Sequence, residues 1–145
     1  MRIVKLGFIS VIVFSVIIFL ISLLVPSHVR ISRAIDIRGD NVDTVIANLH
    51  SWKDWNELYN DSALVTFLSV KPGMVETMWR YKHIQVPGNF RIEHSAGISV
   101  VQWYFDFHLK WYPWEKFGSI IFDKEFGPPM ERSLNNLKKL VENSP

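Results

Sequence analysis

Cysteine is absent from the 145 residues, which excludes disulfides, thiolate metal sites and cysteine nucleophiles. Charge imbalance is missing too. Of the 16 Lys and Arg, Arg2 and Lys5 precede a long apolar run, and the other 14 face 14 Asp and Glu. A nucleic-acid-binding surface or a polybasic lipid-headgroup surface needs a basic excess, so neither is expected. The histidines at 28, 50, 83, 94 and 108 form no H-x-x-x-H pair and have no carboxylate at ligand spacing on a helix, so no metal and no cofactor is expected. The chain also lacks a serine nucleophile elbow, a P-loop, a dinucleotide fingerprint, internal repeats and low-complexity tracts. The sequon Asn60-Asp61-Ser62 carries meaning only in a eukaryotic secretory pathway.

Charge is missing most tellingly between Leu6 and Val25, where 16 of 20 residues are Leu, Ile, Val or Phe and the others are Gly7, Ser10, Ser15 and Ser22. A helix of that length spans a hydrocarbon core of roughly 30 Å. At about −0.3 kcal/mol or better per large apolar residue, insertion is favoured by roughly 5 kcal/mol or more. The run exceeds the roughly 7 to 15 residues of a secretory h-region, and its exit, Leu23 to His28, has no small-x-small cleavage pattern. The expectation is an uncleaved signal-anchor over residues 1–26, meeting the lipid bilayer through residues 6–25. Arg2, Lys5 and the amino terminus oppose Arg30 and Arg33, a narrow bias toward a cytoplasmic N-terminus with residues 27–145 on the periplasmic or extracytoplasmic side.

Residues 27–145 are enough for one core but not two. Alternation of Val29, Ile31, Ile35 and Ile37 with polar residues predicts a first strand, Arg33 breaking its apolar side with its head in water. Gly39 to Asn41 supply a turn and a cap for an amphipathic helix through Val42, Val45, Ile46, Leu49 and Trp52, continued or bent to Tyr59. The period then switches to two. Turns at Lys71-Pro72-Gly73-Met74, Val86-Pro87-Gly88-Asn89 and Ser95-Ala96-Gly97-Ile98 predict strands over 63–70, 74–86, 89–95 and 98–111, the last with Val101, Trp103, Phe105, Phe107, Leu109 and Trp111 on its buried face. Helical patterning at Phe117, Ile120, Ile121 and Lys124 leads to a break at Gly127-Pro128-Pro129. A long helix with Met130, Leu134, Leu137 and Val141 on one face follows. The expected class is α+β, a five-stranded antiparallel sheet with a long C-terminal helix across it, preceded by one transmembrane helix.

This order resembles the helix-grip fold of the START-like, SRPBCC superfamily, in its polyketide cyclase/dehydrase-type branch. The likeness rests on Ser27 to Ile37 (SHVRISRAIDI), on Trp52-Lys53-Asp54-Trp55, on Val101 to Phe105 (VQWYF), and most of all on Gly127 to Glu142 (GPPMERSLNNLKKLVE). The family usually has six strands after its first helices, where residues 62–111 hold about four. A shorter sheet implies a smaller cavity.

The resemblance implies a functional space between the sheet and the C-terminal helix, faced by Trp79, Tyr81, Trp103, Phe105, Phe107, Phe117, Ile121, Met130 and Leu134. The same side chains read equally as ordinary core. No catalytic residue is assigned. The expected function is a non-enzymatic, membrane-anchored domain that binds a hydrophobic small molecule or lipid. The alternatives are a cyclase- or hydratase-like enzyme using Tyr81 or His83, and an anchored protein-interaction module presenting an exposed apolar patch to a partner the sequence does not identify. Asp106 and His108, two apart on the outward strand face, read as a solvated pair, and Trp52 and Trp55 as structural staples in preference to pocket lips or, beside a bilayer, as interfacial anchors.

Overall fold

Period-two hydrophobicity builds one sheet. A computed structural model describes residues 2–59, 64–81 and 84–143, so the Asn60-Asp61-Ser62 sequon and His83 lie outside the described residues. Helix α1 (Arg2–Leu24) precedes strand β1 (His28–Arg38), and short helices α2 (Val42–Ala47) and α3 (Trp52–Trp55) flank a 3₁₀ turn at Leu49–Ser51. Strands β2 (Leu64–Lys71), β3 (Met74–Tyr81), β4 (Ile84–Ser95) and β5 (Ile98–His108) follow, then α4 (Pro113–Gly118), a 3₁₀ turn at Ser119–Ile121 and α5 (Phe122–Glu142). The five strands lie in the order β1-β5-β4-β3-β2, the consecutive ones paired as antiparallel hairpins. This is the α+β architecture expected from the element order.

The chain forms two compact units. In one, α1 clusters with His108–Ile121; the other comprises Arg30–Phe107 and the chain from Phe122 onward. The second holds the aromatic core. Its sheet contributes Val75, Trp79, Phe90, Val101, Trp103, Phe105 and Phe107, all buried on the inner face by the strand alternation. Helix α5 contributes Phe126, Met130, Leu134, Leu137 and Val141 at spacings of four, four, three and four, one continuous buried stripe. Trp52 and Trp55 are buried with them, so they are core side chains and not interfacial anchors. The end of α3 is tied to α5 where Ser133 Oγ accepts from Glu57 N (2.8 Å) and Glu57 pairs with Arg132 (2.7 Å).

Two glycine–proline pairs do not break the chain. Val86 to Asn89, expected as a turn, runs straight through β4, and the β3–β4 reversal falls after Tyr81. Pro87 is tolerated because the β4–β5 ladder begins only at Gly88, so its missing N–H lies at the ladder's end. Gly88 is needed for space: a methyl group there would stand 2.5 Å from Phe105 Cε1 and 2.6 Å from Trp79 Nε1. Likewise α5 continues through Pro128 and Pro129 where a break is expected. Arg33 spans that turn, bonding Asp123 (2.9 Å) before the prolines and Glu131 (2.7 Å) after them, its guanidinium lying where a Gly127 side chain would be. Its head is therefore paired, not free in water. Partial burial lowers the guanidinium's pKa, but the hydrogen bonds from Asp123 and Glu131 more than offset this and the net shift is upward.

Other local expectations fare unevenly. Gly73 has φ +76°, as the turn between β2 and β3 requires. Asn41 occupies the cap position of α2 without a capping side-chain bond. The first helix is interrupted at Asn48, whose extended backbone and side-chain bond to His50 N redirect the chain. Strand β5 stops at His108, so Trp111 is exposed and not on the buried face.

Replacing Gly88 by Ala should destabilise the fold by about 1–3 kcal/mol through overpacking against Phe105 and Trp79, read as a lower thermal midpoint of the detergent-solubilised chain. In the β4–β5 turn, Ala96 (φ 48°) and Gly97 (φ 79°) both lie in the left-handed region. Ala96→Asn should raise stability by about 0.5–1 kcal/mol in the same measurement, because Asn tolerates that conformation and suits a two-residue hairpin turn.

Candidate functional site

The inner face of β3, β4 and β5 is an almost unbroken aromatic surface. Phe90 stacks on Trp103 with centroids 5.0 Å apart and planes 19° apart; Trp79 lies 5.7 Å from Trp103 and 5.3 Å from Phe105; Trp52 caps Trp79 and Phe90 at 5.6 and 5.5 Å. From the helix side Phe126 closes on Phe105 at 5.7 Å and on Phe107 at 5.2 Å. Of the residues expected to face a ligand, Trp79, Trp103, Phe105, Phe107, Met130 and Leu134 converge here and all are buried. Their rings meet one another, so among the described residues side chains close on each other between sheet and helix.

Two expected site residues are not part of this cluster. Phe117 and Ile121 belong to the unit formed with α1, because the chain leaves the sheet at His108; Phe117 is half-buried and Ile121 exposed. The Tyr81 side chain lies outside the described residues, as does His83. Conversely, Phe90 belongs to the cluster though the sequence did not mark it, and so do Trp52 and Trp55, read from the sequence as structural staples in preference to pocket lips. The only available sign was the helical i, i+3 spacing of Trp52 and Trp55.

Polar groups inside the cluster are few and unevenly satisfied. The Thr77 hydroxyl accepts from Trp79 Nε1 (2.9 Å) and donates to the Gly88 carbonyl, and Trp52 Nε1 donates to Ile46 O (2.8 Å). Trp55 Nε1, Asn56 Nδ2 and Trp103 Nε1 are buried donors with no partner among the described residues. A buried unmet donor costs about 1–3 kcal/mol, so three on neighbouring side chains are a conspicuous polar demand in an apolar interior.

Outside the core, the polar clusters are internally satisfied. His94 Nδ1 meets Ser99 Oγ (2.8 Å) and Nε2 meets Asp43 Oδ2 (2.5 Å), while Ser99 Oγ donates to Gly39 O (2.7 Å) and Asp43 accepts from Gly73 N (3.3 Å). Serine, histidine and carboxylate are all present, but Ser99 is fully buried and its proton is committed to a carbonyl. The cluster is a clasp joining α2 to two turns, not a nucleophile with its base. Beside it lies a broad groove of about 1010 Å³ lined by Asp43, Ala47, Val70, Lys71 and His94. It is wide open to solvent, unlike a concavity that buries most of an apolar ligand. On the outward face Asp106 is held bidentately by Arg30 (2.7 and 2.9 Å), which lies 4.4 Å over the Tyr104 ring, and His108 stacks on His28 at 4.8 Å. Asp106 is thus an ion-pair partner of Arg30, not the solvated partner of His108.

No protein-family model matches the sequence, and no curated protein is similar enough in sequence to count as a relative. Solved structures are similar in fold. A START superfamily protein from Mycobacterium smegmatis superposes with TM-score 0.60 at 16% identity, over 78% of this chain and 97% of its own. The Zhui aromatase/cyclase from Streptomyces sp. R1128 gives 0.57 at 12%, over 79% and 94%, and CalU16 from Micromonospora echinospora gives 0.57 at 14%, over 81% and 76%. A five-stranded antiparallel sheet, a long C-terminal helix across it and these superpositions make the fold START-like, of the helix-grip type.

Proposed function

We propose that the protein is a membrane-anchored, non-enzymatic helix-grip domain that binds an apolar molecule carrying an acceptor oxygen, such as a lipid. Residues 1–26 form the anchor and residues 27–145 the domain, with Arg2 and Lys5 on the cytoplasmic side and the domain on the extracytoplasmic side. The observation that carries the ligand reading is Trp103 Nε1, a fully buried donor without an acceptor among the described residues, set among aromatic rings on the sheet's inner face. A carbonyl or hydroxyl oxygen inserted between the sheet and α5 satisfies it while the rest of the molecule meets Trp79, Phe105, Phe107, Met130 and Leu134. Since the rings now touch, entry requires them to part. The anchor reading rests on α1, a helix long and apolar enough to cross a membrane and exposed along nearly all its length.

Full-length protein should remain with the membrane fraction through an alkaline carbonate wash, and release into the supernatant would end the anchor reading. Organic extraction of the purified chain followed by mass spectrometry should recover an apolar molecule. Trp103→Phe should weaken its rebinding by about tenfold, the value of one hydrogen bond near 1.4 kcal/mol, and should also lower the thermal midpoint of the unliganded chain, because the smaller ring leaves a cavity worth about 1–3 kcal/mol. Recovery of nothing, or a variant that binds undiminished, would remove the ligand reading.

A further inference from the structure

In the chain after β5 and before α5, the segment from Leu109 to Ile121 packs with α1 and buries little of its own apolar surface. Trp111 is 62% exposed, Trp114 70%, Ile120 63% and Ile121 57%. Four large apolar side chains within eleven residues differ from the single exposed residues that any surface carries. Their neighbours have the same character: Tyr112 stacks on Trp114 with centroids 5.0 Å apart and planes 2° apart, and Lys110 Nζ lies 5.9 Å over the Tyr112 ring.

What covers this surface is indicated by its seat on α1. The Trp111 ring meets Phe19 edge-to-face at 6.2 Å. Phe19 stands five residues before Leu24, the last residue of α1, or about 7.5 Å inward along the helix axis. Ser22, between them, is fully buried. Lys116, nearly buried itself, donates from Nζ to the Val25 carbonyl (2.9 Å), placing a cation at the negative end of α1, and Leu109 N donates to Ser27 O (2.8 Å). A bilayer that surrounds α1 up to Leu24 therefore also surrounds Trp111.

We infer that Leu109–Ile121 is a second membrane element, a short interfacial segment that sets Trp111, Trp114, Ile120 and Ile121 into the headgroup boundary of the leaflet from which α1 emerges. The occupant of the patch is lipid. Aromatic side chains with apolar bodies and polar edges are those that settle at that depth, and exposed Lys110 supplies a cationic flank. The inference rests on the anchor reading of α1.

The absence of cysteine makes the test free of background labelling. Full-length Val13→Cys, Trp114→Cys, Ile120→Cys and Lys53→Cys, each carrying an NBD fluorophore, are reconstituted in phosphatidylcholine vesicles with bromines placed shallow or deep on the acyl chains, and quenching by bromolipid and by aqueous iodide is compared. Positions 114 and 120 should emit to the blue of position 53, lose iodide quenching and respond most to shallow bromines, while position 13 responds most to deep ones. If position 13 escapes lipid quenching, the anchor reading itself fails. If position 13 is quenched but 114 and 120 stay open to iodide, the anchor stands and the interfacial segment is overturned. Shielding from iodide without lipid quenching at 114 and 120, lost on dilution into excess lipid, would assign the patch to a second copy and likewise overturn it.

Discussion

The packing of Trp79 and Phe105 over Gly88 is the contact on which the rest of the core depends. It lets two large rings, set edge-to-face with planes 77° apart, close over the backbone of β4, beside the stack of Trp103 on Phe90 and the contacts of Trp52 and of Phe126 from α5. Aromatic side chains carry much of the buried area of a small domain, and their edge-to-face and offset geometries add a modest term beyond burial. Here those geometries are linked into one network from α3 through the sheet to α5. A side chain at position 88 would disturb all of it.

That network bears directly on function. Folds of this type set a sheet against a long helix, and the interior between them can be open or filled. In this chain large rings meet across it, and the unmet polarity among the described residues is two indole donors and one amide donor, of which Trp103 Nε1 belongs to the sheet face. The ion pairs that cross between elements, Arg33 with Asp123 and Glu131 and Arg30 with Asp106, have at least one well-exposed partner and hold strand to helix and strand to strand. Their individual contribution to stability is small, on the order of 1 kcal/mol or less, and they act chiefly to fix orientation.

The pairs Pro87-Gly88 and Gly127-Pro128 show where local reading and tertiary structure part. Both carry turn chemistry, and both lie inside regular elements. Proline at 87 costs nothing at the end of a hydrogen-bond ladder, and the missing side chains at 88 and 127 serve the approach of Trp79, Phe105 and Arg33. Steric demand from residues distant in sequence leaves no local trace, so the glycines were read as punctuation. The Lys71–Met74 and Ser95–Ile98 turns, by contrast, depend only on their own backbone dihedrals, and were legible.

The order of elements, the five strands, the buried stripe of α5 and the apolar run of α1 follow from periodicity and length, which are properties of adjacent residues, and the sequence by itself determined them. Six of the nine side chains expected around the interior also converge there, because strand alternation and helical spacing fix which face each takes. Only the tertiary structure decided that those side chains meet one another, that Trp52, Trp55 and Phe90 join them, and that the segment carrying Trp111, Phe117 and Ile121 clusters with α1. These outcomes depend on where β5 ends and on which rings can pass over a glycine. Both are settled by contacts between segments tens of residues apart, and no periodicity encodes them.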